Sequence, residues 1–145
     1  MVDQRFAVSV HVMLSLAQAH SQNSGPGRAL VTSEYLAESV RTNPAVIRRI
    51  VSRLAQSQLV NSFRGKAGGV ELAKEPSAIS LADIYSAISE KSLLNHSDKA
   101  PKRQCKVSCS MSKIMGGLIE GFEKNSLRYF SRIYLSDLLA EVHKN

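Results

Sequence analysis

Two short helical patterns joined by a tight turn, a glycine-rich hairpin behind them and one long apolar helix near the C-terminus predict a mainly α fold with a small β-wing. The architecture is a winged helix-turn-helix head plus a long C-terminal dimerisation helix. The head is expected over 1–89, a cysteine-containing loop over 90–109, and the dimerisation helix with a closing helix over 110–145.

The segment from Thr32 to Ala73 carries the head. It reads VTSEYLAESV, RTN, PAVIRRIVSRLAQSQ and LVNSFRGKAGGVELA. Asn43 can cap the second helix, expected over 44–57, and Pro44 suits its first position, where no amide donor is needed. Val46, Ile47, Ile50, Val51 and Leu54 recur at helical spacing and form one apolar face. Arg48, Arg49, Ser52, Arg53 and Gln56 fall on the other. From Arg41 to Lys66 there are six basic residues and no acidic one.

A helix that buries one side and presents arginines on the other suits the major groove of double-stranded DNA. An arginine can bond two acceptors on guanine at once, a contact worth about 1–3 kcal/mol of discrimination. The hairpin, a wing over 62–73, sets Arg64 and Lys66 around a tip of Gly65, Ala67, Gly68 and Gly69. Arg64 beside glycines can enter a narrow minor groove, where the negative potential is enhanced. Lys66 and Arg53 suit phosphate contacts, which position without reading sequence. The competing account of these arginines is a solvated helix face.

The remaining elements follow in order. Asp3 to His20 reads as the first helix, with Phe6, Val10, Leu14 and Ala17 on one face and Ala7, Met13 and Leu16 widening it. Ser21 to Arg28, with Gly25-Pro26-Gly27, is a loop. Thr32 is expected to cap the next helix, with Glu34 in its first turn and Leu36, Ala37 and Val40 facing inward. Ser62 to Arg64 and Val70 to Ala73 are the expected wing strands. Ser80 starts another helix, and Asp83 completes a capping-box-like start. Ile84, Tyr85 and Ile88 are its buried side. Ser89 to Gln104 is polar, contains Pro101 and reads as a loop. From about Ser110 a long helix carries Ile114, Met115, Leu118, Ile119, Phe122, Tyr129, Phe130 and Ile133. That is more apolar surface than the body can cover, so a second subunit is expected against it. A two-fold homodimer also suits a palindromic operator. Leu135 to Val142 is a closing helix, entered near Tyr134.

The chain of 145 residues has a formal net charge of +7, which favours a polyanionic partner. No apolar run approaches membrane-spanning length and the N-terminus lacks a signal peptide's order, so no membrane partner and a cytoplasmic location are expected. No enzyme is expected either. There is no phosphate-cradling glycine motif, and the four histidines are scattered.

Cys105 and Cys109 lie among Lys102, Arg103, Lys106 and Lys113, with no acid between Lys99 and Lys113. Positive neighbours and a nearby helix start favour a thiolate, which makes the pair a redox candidate. A disulfide needs Cα atoms within about 7 Å, which a turn can give to cysteines four apart. The alternatives are a pair that only packs, or a basic stretch that touches DNA phosphates or a partner protein.

The wing string LVNSFRGKAGGVELA resembles that of the Rrf-type winged-helix transcription regulators, the family of IscR, NsrR and CymR. RTNPAVIRRIVSRL is similar to the recognition helix of their YwnA-like branch. ISLADIYSAI and YLSDLLAEV match the helix after the wing and the closing segment. The resemblance covers nearly the whole chain. It implies a homodimeric regulator, usually a repressor. By position it makes Asn43, Ala45, Arg48 and Arg49 the major-groove readers and Arg64 the wing residue. Some cluster-containing members carry an acid where this chain has Arg48, so their operators do not transfer.

Cluster-binding members hold three cysteines in the region of Cys105 and Cys109, and in some a histidine follows where Ser112 stands. A cluster normally takes four protein ligands. Two cysteines per subunit would reach that only by sharing across a dimer or recruiting His96, so no cofactor or metal is expected. The resemblance leaves two further readings: a metal, iron–sulfur or redox sensor acting through Cys105 and Cys109, and a winged-helix module that binds a partner enzyme, as CymR-like members do.

Overall fold

The computed structural model describes residues 4–23, 25, 27, 29–90, 94 and 100–145. Its elements in order are α1 (Arg5–Gln22), α2 (Ser33–Val40), α3 (Pro44–Gln56), β1 (Val60–Phe63), β2 (Gly69–Leu72), a 3-10 turn (Pro76–Ala78), α4 (Leu81–Ile88), α5 (Lys106–Phe130) and α6 (Leu135–Val142). The mainly α fold with a small β-wing is the one expected.

The core gathers Val12, Met13 and Leu16 of α1, Leu36 of α2, Ile47 and Leu54 of α3, Ile84 of α4 and Leu135 of α6, all essentially inaccessible to water. Each such side chain stabilises the fold by roughly 1.5–3 kcal/mol relative to exposure. The inward stripe of α1 differs from the expected one. Ser9, Val12, Met13, Leu16 and Ala17 are buried, whereas Phe6, Val10 and Leu14 are half-buried and Ala7 is exposed. Ala7, Val10 and Leu14 instead line an open apolar trough of about 510 Å³ with Tyr35 and Val142. The hydroxyl of buried Ser9 is satisfied by donating to the Arg5 carbonyl at 2.7 Å. Asp3, the expected start of the helix, lies outside the described residues.

The turn between α2 and α3 is built from caps. The Thr32 hydroxyl accepts from the Tyr35 amide and opens α2. Arg41 closes it in the left-handed region, at φ 66°, while the Arg41 and Thr42 amides donate to the Glu38 and Ala37 carbonyls. This arrangement satisfies carbonyls that a helix end leaves unpaired. Two residues later Asn43 starts α3, with Pro44 at its head.

The wing is a two-stranded antiparallel sheet running from Val60 opposite Leu72 to Phe63 opposite Gly69. β1 therefore starts two residues before the expected Ser62. Val60 and Leu72 are paired and both buried, so the apolar end of the hairpin belongs to the core, and Arg64 stands beyond the ladder. Val31 adds a bridge to Val70, with reciprocal bonds of 2.9 and 2.8 Å, and fastens the wing to the segment that enters α2.

Ser80 and Asp83 form the expected capping box of α4, each side chain accepting from the other's amide at 3.1 and 2.9 Å. α5 begins at Lys106, four residues before the expected Ser110, so Cys109 lies inside the helix and Cys105 is its cap. Ile133 falls beyond its end. On its exposed face Lys124 hydrogen-bonds to Glu120 at 2.8 Å and holds that carboxyl below its usual range. The return into α6 pairs with the start of α4: the Leu81 amide donates to the Ile133 carbonyl and the Leu135 amide to the Ile79 carbonyl, both at 2.8 Å. Among the described residues no helix is long and apolar enough to cross a membrane.

Candidate nucleic-acid interface

α3 turns Ile47, Ile50, Val51 and Leu54 into the core. The opposite face exposes Ala45, Arg48, Arg49, Ser52 and Gln56. The apolar spacing of the sequence forces this split, because a straight helix that buries one stripe must show the other. The start of α3 is fixed by Asn43, whose Oδ1 accepts from the Ala45 amide at 2.8 Å. That bond takes one of the two lone pairs of the amide oxygen. Arg49 reaches back toward the Ala45 carbonyl, with its Nε at 3.5 Å. This exposed end of α3 brings together Asn43, Ala45, Arg48 and Arg49.

The wing tip presents Arg64 and Lys66, both exposed. Gly65 takes φ +97°, a conformation that side chains rarely adopt. A Cβ on Gly68 would overlap the Phe63 carbonyl oxygen, so the hairpin can close here only on a glycine. The Gly68 amide donates to the Gly65 carbonyl at 3.0 Å and completes the turn. Between the wing and the start of α2 lies a polar cleft of about 240 Å³, lined by Thr32, Ser33, Glu34, Ser62 and Lys66 among others. The sequence reading did not assign this cleft, because its two walls are far apart in the chain.

Arg53 is set apart from the other arginines. It is half-buried and paired with Glu90, just beyond α4, while Glu90 also meets Arg5 of α1 at 3.6 Å. The sequence offers no local signal for this cluster, since its members lie far apart in the chain, in α1, in α3 and just after α4.

Cys105 and Cys109 are both free thiols, the first half-buried and the second exposed. Cys105 caps α5, its sulfur accepting from the Ser108 amide at 3.4 Å. The Cys109 thiol donates to the Lys102 and Arg103 carbonyls, at 3.6 and 3.7 Å. The Lys102 amide in turn donates to the Ser108 hydroxyl at 2.8 Å. Backbone groups between Lys102 and Ser108 thus hold both thiols.

A capped helix-turn-helix with an arginine-bearing outer face, braced by a hairpin with a basic tip, defines a winged-helix DNA-binding regulator. The sequence model of the Rrf2 family, described as an iron-dependent transcriptional regulator, matches residues 2–141. The HTH-type transcriptional regulator YwnA of Bacillus subtilis is 35% identical over 123 residues, covering 85% of this chain and 83% of the relative. A solved transcriptional regulator from Lactobacillus plantarum superposes with a TM-score of 0.71 at 26% identity, over 97% of this chain and 90% of that one. IscR of T. potens shares the fold, with a TM-score of 0.68 at 22% identity over 98% of this chain and 88% of that one. The chain belongs to the Rrf2 family of transcriptional regulators, and it is not an enzyme.

The family description speaks of iron, and the donors of this chain can be tested against it. Among the described residues no three of histidine, cysteine, aspartate and glutamate converge. Cys105 and Cys109 are the only thiols in the sequence, and Ser112 follows them. His96 lies outside the described residues. Two thiols fall short of the four ligands an iron–sulfur centre normally takes, so this donor set does not fit a cluster held within one subunit.

Proposed function

We propose that the protein is a homodimeric repressor of a palindromic operator, with α3 in the major groove and the wing in the minor groove. The observation that carries this reading is a pairing of surfaces. An acid-free arginine face on α3 is joined to a 25-residue helix, α5, that has no buried residue among the described ones. Val107, Met111, Ile114, Leu118 and Phe122 are exposed at helical spacing along α5, between 40% and 67%. A stripe of that kind left in water favours association, and a two-fold partner presents the same stripe in return. Two heads so joined match two half-sites. In this reading Asn43, Ala45, Arg48 and Arg49 face base edges, Arg64 enters the minor groove, and Arg53 and Lys66 meet phosphates.

The test is fluorescence anisotropy on the DNA upstream of the protein's own gene, with unrelated duplex as competitor. Tight, salt-sensitive, competitor-resistant binding is expected. Binding that competitor removes completely would sink the operator reading and direct attention to a partner protein.

A second reading concerns regulation. Cys105 and Cys109 stand one turn apart at the start of α5, Cys105 bonded to the Ser108 amide and Cys109 to the Lys102 and Arg103 carbonyls. A peroxide or a disulfide could oxidise the two thiols to one intramolecular disulfide, taking two electrons and two protons as it is itself reduced to water or to thiols. The change would cost α5 its sulfur cap and alter the first turn of the proposed dimer helix. Intact-mass measurement after mild oxidation should then show the loss of two hydrogens, absent in Cys109→Ser, and operator affinity should shift with it. Unchanged affinity in the oxidised protein would remove the switch and leave the repressor.

A further inference from the structure

The Arg53–Glu90–Arg5 cluster has no part in the readout described above, yet it borders the face that performs it. Glu90 divides its carboxylate between two helices. One oxygen pairs with Arg53 of α3 and the other lies 3.6 Å from Arg5 of α1. The three side chains are 38%, 47% and 50% exposed for Arg53, Glu90 and Arg5. Ion pairs this open to water contribute little to stability. Arg53 stands one helical turn beyond Arg49, so it occupies the flank of the exposed arginine face.

We propose that Glu90 acts as an internal competitor for a DNA phosphate at Arg53, and so sets affinity and salt dependence without taking part in sequence readout. This rests on the DNA-binding reading above. A carboxylate and a phosphate offer a guanidinium the same thing, paired anionic oxygens that accept its N–H groups. With Glu90 in place, the charge on Arg53 is already answered within the protein. A phosphate that approaches this flank must displace the carboxylate and then lie near it, like charge beside like charge. Removing the negative charge of Glu90 leaves Arg53 to the phosphate alone. The gain should appear on any duplex, because a phosphate contact carries no sequence information.

The experiment measures binding of the full-length wild type, Glu90→Gln, Arg53→Ala and the double variant to an operator duplex and to an unrelated duplex, over a range of salt. Glu90→Gln should bind both duplexes about threefold more tightly, with the slope of log K against log salt steeper by about one. Arg53→Ala alone should leave the wild-type slope nearly unchanged, because Glu90 already offsets that charge, and should remove the extra unit from Glu90→Gln. On the Arg53→Ala background, Glu90→Gln should lose most of its gain. An equal gain with and without Arg53 would mean a general charge effect and overturn the proposal, as would an unchanged slope in Glu90→Gln. The unrelated duplex keeps the two readings separable. If no operator-specific binding is found, the repressor reading fails, while the competition at Arg53 still shows in the slopes on unrelated DNA.

Discussion

The Tyr85 hydroxyl donates to the Glu123 carboxylate, at 3.2 Å to one oxygen and 3.1 Å to the other. It joins α4, in the head, to the C-terminal third of α5. The Tyr85 ring is buried and stands edge-on to Phe6, 5.7 Å between centroids, so the ring packs while the hydroxyl bonds.

Tyr85→Phe separates those two roles. The ring stays and a charge-assisted bond goes, which should cost about 1–2 kcal/mol. For a domain of this size that lowers the melting temperature by several degrees, roughly 2–4 °C per kcal/mol. Thermal unfolding followed by circular dichroism measures it, and an unchanged midpoint would mean the bond adds nothing to stability.

Leu118 is 60% exposed in the middle of the apolar stripe of α5. Leu118→Asp places a charge where the proposed two-fold seam would desolvate it. Sedimentation velocity should find monomers with the helical circular dichroism of the parent. A dimer that survives the substitution moves the seam elsewhere.

Arg64 at the wing tip is expected to read groove shape as well as charge. Arg64→Ala should therefore weaken operator binding more than binding to unrelated duplex. Equal losses on both would reduce Arg64 to a phosphate contact.

Asn43 is both the cap of α3 and a proposed base reader. Asn43→Ala should lose about 1 kcal/mol of stability, and Asn43→Ser should keep most of it, because serine caps nearly as well. If the amide reads a base, both variants lose operator affinity alike. Recovery of affinity in Asn43→Ser would make the residue a cap alone.

The elements legible in the sequence are those whose signal is local. Asn43-Pro44, Thr32 and the Ser80/Asp83 pair announce helix starts because the capping bonds span only two or three residues. The exposed arginines of α3 were equally legible, since burying Ile47 and Leu54 dictates what faces out. α1 misled because it is apolar on most sides. Phe6, Val8, Val10, Val12, Met13, Leu14 and Leu16 permit two neighbouring stripes, and packing against other elements selects the one through Val12. The start of α5 was hidden for another reason. Cysteine is not a usual cap, and a lysine- and serine-rich first turn reads as loop. Glu90 and Arg53 meet only through the tertiary fold, so no spacing rule could pair them.

The far end of α5 is held on several sides. Phe130 packs on Phe6 and Tyr85 with centroids 5.2 and 5.7 Å away, and the chain then pairs with the start of α4 and enters α6 at the fully buried Leu135. The arm is thus set at its angle by the same core that seats α3. Two heads coupled through such arms would behave as a caliper of fixed opening, and the distance between half-sites becomes a property of the core rather than of a linker. A substitution at Phe130 or Leu135, remote from any base, would then change which operator spacing the protein accepts.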